Sequence, residues 1–272
     1  WWGDAMAPGY VHGYAEGEAA RLLDQASTLT ELLHRDTAYP AGSLVLEAGC
    51  GVGAQTVTLA ARSPQADFMS VDISSDSLRR ASARVQGAGL RNVTFLAADI
   101  FSLPFPDGRF DHAFVCFVLE HLARPEAALA QLRRVLRPGG TLTVIEGDHG
   151  SAYFHPDSED ARRAIGCLVD LQRRAGGDAL IGRRLYPLLV RAGVRDVRVS
   201  PRMVYADASR PALVDGFIRK TFTTMVDGVG EQAIRQGLID AESWRKGIRD
   251  LSRTAEDDGT FCYTFFKAVG VR

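Results

Sequence analysis

The sequence predicts an α/β chain built on a doubly wound, mostly parallel sheet, and two observations carry that prediction. Between residues 44 and 146, short apolar runs alternate with stretches of helical periodicity. This is the rhythm of parallel strands covered by helices on both faces. After the first such run, "VLEAGCGVGAQT" (45–56) packs three glycines into a turn that opens a helical pattern. Open sheets of this class bind their ligands at such strand-to-helix turns.

The elements follow in order. From Glu16 to Leu33 the apolar residues Leu22, Ala26, Leu29 and Leu33 recur at helical spacing, and Pro40-Ala41-Gly42 ends that segment. Strands are expected at Leu44–Glu47, Phe68–Asp72, Val93–Ala97, His112–Phe117 and Thr141–Glu146. Helices are expected at Gln55–Arg62, Asp76–Val85 and Pro125–Leu136. The last helix has Pro at its first position and "RPGG" at its end, so both boundaries carry their own signals. After Asp148 the rhythm changes. Helical patterns cover Ser158–Ala175 and Arg183–Arg191, a strand covers Val194–Tyr205, residues 210–256 read helical, and "FCYTFFKAV" closes as a strand at Phe261–Val269.

Composition bounds the function. The 272 residues are 46% hydrophobic and 24% charged, with a net charge of −1. That is an ordinary globular balance, without the basic field of a nucleic-acid binder. No apolar run reaches the roughly 18 residues of a membrane span. Neither a nucleic-acid nor a membrane partner is therefore expected. The four cysteines (Cys50, Cys116, Cys167, Cys262) never form CxxC, which suits reduced thiols in a cytoplasmic protein rather than a zinc site. The opening "WWGDAM" has no signal-peptide pattern, and a chain starting at Trp1 reads as trimmed.

Gly49, Gly51 and Ala54 satisfy G-x-G-x-x-[GA], and Asp72 follows at the roughly 20-residue distance of a dinucleotide site. A nicotinamide- or flavin-dependent oxidoreductase is therefore one reading. Three details favour another ligand. Glu47 stands at the mouth of the turn, where a carboxylate repels pyrophosphate and suits ammonium and sulfonium charges. "AADIFSLPF" places Asp99 at the end of the third strand, where it can accept from an adenine amino group while Ile73 and Ile100 flank the ring. "FDHAFVCFVLEHL" and "ALAQLRRVLRPGGTLTVIEGD" then supply a strand, a helix, a Gly turn and a fifth strand at close spacing.

From Leu44 to Asp148 these motifs resemble, in register, the class I S-adenosylmethionine-dependent methyltransferases, small-molecule (type 11-like) branch. The resemblance implies a Rossmann-like sheet of seven strands with an N-terminal helical lid (1–40), a cofactor-binding core (41–150) and a completing segment (151–272). The last includes a helical substrate cap inserted at about 210–256, before the final strand. It implies that Glu47, Gly49, Cys50, Gly51, Gly53 and Gln55 surround the methionine part. Asp72 takes the ribose and Asp99 the adenine amine, with Ile73 and Ile100 flanking the ring and Ala98 beside them. Cys116 or Phe117 floors the methyl position, and Tyr14 reaches the cofactor from the lid. The implied cofactor is S-adenosylmethionine, leaving as S-adenosylhomocysteine.

The acceptor is less defined. "VCFV" replaces the Asn/Asp-Pro-Pro-aromatic turn of nucleic-acid amino methylation. No metal is expected, since Asp148 and His149 alone make no site. His149 in "EGDHGS" is the first choice of base among His121, His149 and His155, because the loop after the fifth strand opens onto the ligand crevice. Glu120 reads as a solvated or capping carboxylate. Tyr10 and His12 from the N-terminal segment, with Phe217, Phe222 and Met225 of the cap, are the candidate substrate contacts. The expected partner is a small molecule and the expected state a monomer or homodimer. A non-catalytic cofactor-binding module is the remaining alternative.

Overall fold

The computed structural model describes residues 28–272. Tyr10, His12 and Tyr14 lie outside the described residues.

Five parallel strands form the centre: β1 (Leu44–Ala48), β2 (Asp67–Asp72), β3 (Val93–Ala97), β4 (Phe110–Cys116) and β5 (Leu136–Gly147). Their order is β3-β2-β1-β4-β5, and the long β8 (Thr260–Val271) continues the sheet antiparallel to β5. The order reverses between β1 and β4, which opens a crevice at the carboxyl ends of those two strands.

The sheet has eight strands among the described residues, against the seven expected. The additional one, β6 (Tyr153–His155), pairs with residues 260–262 of β8, while β5 pairs with residues 265–271 of the same strand. The thirteen-residue β7 (Arg195–Asp207) pairs along β8 from 260 to 271. A strand has two edges, so β6 lies in line beyond β5 and β7 forms the far edge. The seven main strands keep the expected organisation, and β6 extends the line of β5. Three residues are too short a run for periodicity to announce.

Alternation sorts the strand residues onto two cores. Val45, Phe68, Phe114 and Ile145 face one layer, with Leu29 and Leu33 of α1 (28–34), α2 (Ala54–Arg62), α5 (Glu159–Arg174) and the helical segments of 211–253. Leu46, Val71, Val115 and Val144 face the other, under α4 (Pro125–Val135) and α6 (Leu185–Arg191). Helix α3 (Ser75–Gly87) joins β2 to β3 and begins at Ser74, whose side chain accepts from the Ser77 N–H.

The expected helical insertion lies between β7 and β8, in the segments Pro211–Leu213, Val214–Thr223, Thr224–Asp227, Gly230–Arg235 and Ala241–Arg253. Val214–Thr223 is π-helical rather than α-helical. Thr221 Oγ1 donates to the Gly216 carbonyl at 2.7 Å and Thr224 Oγ1 to that of Arg219 at 3.0 Å, each five residues back. This wider turn sets Phe217 and Phe222 on one face with ring centroids 6.3 Å apart.

Candidate active site

The carboxyl ends of β1, β2, β4 and β5 position the site. Leaving β1, the chain turns through Gly49 at φ +75°, and the Gly49 N–H donates to the Val71 carbonyl at 2.8 Å. A Cβ on Gly49 would stand 2.4 Å from Val118 Cγ2, so the turn after β4 lies directly on it. Gly53 caps α2 at φ +78°, and a Cβ there would stand 2.9 Å from Ala81 Cα. Bare backbone is needed at both places, because neighbouring elements fill the space a side chain would take.

Glu47 is 2% exposed. Its Oε2 accepts from Ser70 Oγ at 2.6 Å and Thr56 Oγ1 at 2.7 Å. Burial pushes its carboxyl up to about 7 against the pull of those two hydroxyls, and the charge of Asp72 adds to the rise. Asp72 braces the glycine turn itself, with Oδ2 accepting from the Gly51 N–H at 2.8 Å and Oδ1 from the Ser74 N–H at 2.9 Å. Both oxygens retain acceptor capacity, since each carries two lone pairs. Beside it Ile73 is 57% exposed, an uncovered aliphatic side chain at the strand end. Asp99 is exposed, with Oδ1 accepting from the Phe101 N–H at 2.9 Å. Ala98 ties to the Asp72 carbonyl at 3.0 Å, and Ile100 is half-buried next to Asp99. Gln55 Oε1 meets Nε2 of the buried His34 at 2.7 Å. The thiols of Cys50 and Cys116 are buried, and burial pushes both above the ordinary cysteine range. Neither is a nucleophile near neutral pH.

After β4 the chain turns at Phe117, a non-glycine residue at φ +57°, whose N–H donates to the Ile145 carbonyl at 2.9 Å. Glu146, fully buried at the end of β5, holds the next two residues. Its Oε1 accepts from the N–H groups of Val118 at 3.1 Å and Leu119 at 2.8 Å. Glu120 follows and is 7% exposed, which corrects the solvated carboxylate the sequence suggested. Gln172 Nε2 donates to its Oε2 at 3.2 Å. His149, also buried, brings Nε2 to 3.6 Å from Glu120 Oε2, while its Nδ1 lies 2.8 Å from Tyr263 Oη. His121 Nε2 stands 3.7 Å from Glu120 Oε1. Asp148 is taken by Arg183, which reaches its two oxygens at 2.6 and 2.8 Å. Among the described residues no group of three metal-ligating side chains converges.

Phe217 and Phe222 are 1% exposed and Met225 is 8% exposed. They pack in the aromatic core with Phe261, Tyr263 and Phe265, and the Phe222 ring stands 6.4 Å from the ring of His149. Glu120, Glu146 and Tyr263 were missed by sequence reasoning. The available signal was a carboxylate within the apolar run "TVIEG".

A methyltransferase domain model matches residues 46–144. An uncharacterised 37.1 kDa protein in transposon TN4556 of Streptomyces fradiae is 34% identical over 244 residues, covering 84% of this chain and 67% of that protein. This chain belongs to the class I S-adenosylmethionine-dependent methyltransferases. The 27-O-demethylrifamycin SV methyltransferase of Amycolatopsis mediterranei is 33% identical over 53% of this chain, which spans about half (51%) of that enzyme. A solved S-adenosylmethionine-dependent methyltransferase from Thermotoga maritima covers 94% of each chain with a TM-score of 0.55 at 19% identity, a likeness of fold.

The residues present fit the methyltransferase's cofactor. The Gly49–Gly53 turn is closed from behind by Val118 and Ala81, so its open side presents backbone alone. Acids stand at the ends of β1, β2 and β3, and the exposed Ile73 offers an apolar flank. The dinucleotide reading of the same turn gives way to S-adenosylmethionine.

Proposed function

We propose that this methyltransferase acts on a small, protic acceptor, with His149 as the proton acceptor and Glu120 and Tyr263 as its positioning residues. The pairing of His149 Nδ1 with Tyr263 at 2.8 Å, while Nε2 faces Glu120, is the observation that carries this reading. Bound S-adenosylmethionine supplies a methyl group activated by its sulfonium, so the protein contributes orientation, exclusion of water and proton removal.

Glu47 and the Gly49–Gly53 turn would hold the methionine part, Asp72 the ribose, and Asp99 with Ile73 and Ile100 the adenine. Burial keeps the Tyr263 phenol well above its ordinary range, so it stays protonated as a neutral partner. In the catalytic tautomer the His149 proton sits on Nδ1, donating to the phenol oxygen, and Nε2 accepts the acceptor's proton. The acceptor's proton would arrive at the nitrogen that Glu120 faces, so the resulting imidazolium would lie beside the Glu120 carboxyl group. The aromatic wall of Phe217, Phe222 and Tyr263 excludes water behind the ring.

The cap and the N-terminal segment, with Tyr10, His12 and Tyr14, would complete the acceptor and cofactor pockets. The acceptor class is supported by the rifamycin enzyme, whose name specifies a small-molecule substrate. All four cysteines are free thiols, which supports work in the reducing cytoplasm.

The test uses cell extract and methyl-labelled S-adenosylmethionine, with products read by mass spectrometry. H149A should lower labelled product by about 10²–10⁴-fold. Calorimetric affinity for S-adenosylhomocysteine should stay within about twofold, as expected for a group that acts on the acceptor. Undiminished labelling by H149A sinks the base assignment.

A further inference from the structure

Glu146 is a carboxyl group with an unusual set of neighbours. Its side chain is buried at the end of β5. Oε1 accepts two backbone N–H groups, whereas Oε2 is buried without a hydrogen-bond partner. The titratable groups that act on it include the Glu120 carboxyl from the turn after β4, the Cys116 thiol from β4 and the Tyr263 phenol from β8, while the Glu120 backbone N–H adds to the donors of Val118 and Leu119. None of the three brings a positive charge. An ionised carboxylate there would hold a desolvated charge on an unpaired oxygen beside a second acid. A neutral acid carries no such charge, and its carbonyl oxygen still accepts both N–H groups.

We propose that Glu146 is a positioning residue of the methyl-transfer site that works as a neutral carboxylic acid, its Oε1 pinning the turn Phe117–Leu119 against the glycine turn at Gly49. The chain of contacts is continuous. Glu146 fixes the N–H groups of Val118 and Leu119, and Val118 packs on Gly49, where no Cβ fits. Phe117, held at φ +57° between those contacts and the Ile145 carbonyl, stays in place as the floor. The neutral form also spares the acceptor side a buried negative charge next to Glu120 and His149. Burial and the neighbouring Glu120 both push the Glu146 carboxyl well above the ordinary range, in agreement with the geometry.

The test needs no acceptor, so it stands or falls independently of the role given to His149. The infrared difference spectrum of wild type minus E146Q, taken without cofactor at pH 7, should show the carbonyl stretch of a protonated carboxylic acid. Subtraction against E146Q removes any contribution from Glu47. Calorimetry with S-adenosylhomocysteine supplies the second readout. E146Q, neutral and still an acceptor for both N–H groups, should bind within about twofold of wild type. E146A, which leaves both donors unsatisfied, should bind at least about tenfold more weakly. Absence of the carboxylic acid band, or E146Q binding as weakly as E146A, overturns the proposal. If E146A does not fold, the infrared band and the affinity of E146Q decide alone.

Discussion

Tyr263 Oη and His149 Nδ1 meet at 2.8 Å across 114 positions of sequence, the phenol coming from the antiparallel strand β8 and the imidazole from the loop after β5. A buried imidazole has two ring nitrogens, and whichever one is bonded decides what the other can do. Removing the phenol hydroxyl therefore bears on proton transfer more than on folding. Y263F should lower kcat by roughly tenfold or more, part of the 10²–10⁴ that a positioned base contributes. Stability should fall by about 1 kcal/mol, the worth of one buried hydrogen bond. Steady-state kinetics with an acceptor found by the labelling screen, alongside urea melts, separates the two effects. Unchanged kcat in Y263F removes Tyr263 from the mechanism.

The contact between Gly53 and α3 makes a sharper structural prediction. G53A requires an alanine at φ +78° and brings its Cβ to 2.9 Å from Ala81 Cα. The backbone strain costs about 1–2 kcal/mol and the overpacking about 1–3 kcal/mol more. Denaturant melts of G53A should show a loss in that combined range. The double variant G53A/A81G should recover only part of it, because it relieves neither the backbone angle nor the contact with Ala81 Cα.

The central strands and helices and the Gly49–Gly53 turn were legible in the sequence, and the reason is physical. Strand and helix periodicities differ, Pro125 and the "RPGG" stretch mark ends, and a turn that must expose backbone needs glycine. Partners across the sheet were not legible. Glu120 in "LEHL" looks like an exposed helix start, yet only the single turn Leu119–His121 forms before the chain is drawn under Gln172. Nothing local says that Glu146, 26 residues later, will reach back to that turn. The cap shows the same limit. Phe217 and Phe222 suggested an acceptor pocket by composition, but the π-helical turn directs both rings into the core.

After the first helix, Asp36 joins two buried cations, Lys267 of β8 and Arg202 of β7. Lys267 Nζ lies 2.7 Å from Asp36 Oδ1, and Arg202 Nη2 lies 2.5 Å from Asp36 Oδ2. Burial pushes the Asp36 carboxyl up, but the hydrogen bonds and charges of Lys267 and Arg202 outweigh it and hold it at about 2. Its contribution to stability is therefore present above pH 4 and lost as the pH falls toward 2. D36N should destabilise by about 1–2 kcal/mol at pH 7, because it takes the carboxylate from Lys267 and Arg202, while the half exposure of Asp36 keeps the loss below that of a fully buried pair. K267M should cost less, since methionine fits the buried position and Asp36 keeps Arg202. Equal losses in the two variants would contradict this asymmetry.

Glu47 makes the cofactor site sensitive to pH, and the sign can be worked out. Its carboxyl sits at about 7 in the folded protein without ligand, against 4.5 for the unperturbed group. A folded-state value above the unfolded one gives stability that is full below pH 4.5 and lost as the pH rises through 7, roughly 3 kcal/mol in all. The ligand-free methyltransferase should therefore melt at progressively lower temperature from pH 5 to pH 8. His34, lowered to about 4 chiefly by burial, acts in the opposite direction, so the informative quantity is the difference between wild type and E47Q. That difference isolates Glu47: E47Q should gain on wild type by up to about 3 kcal/mol as the pH rises. Ligand binding reverses the preference. A ligand ammonium beside Glu47 favours the ionised form, so binding should release a proton, and affinity for S-adenosylhomocysteine should rise between pH 6 and pH 8. Calorimetry in buffers of different ionisation enthalpy measures that proton directly. E47Q should bind more weakly and lose the pH dependence that Glu47 supplies, and an E47Q that keeps the wild-type profile would show that another group controls it.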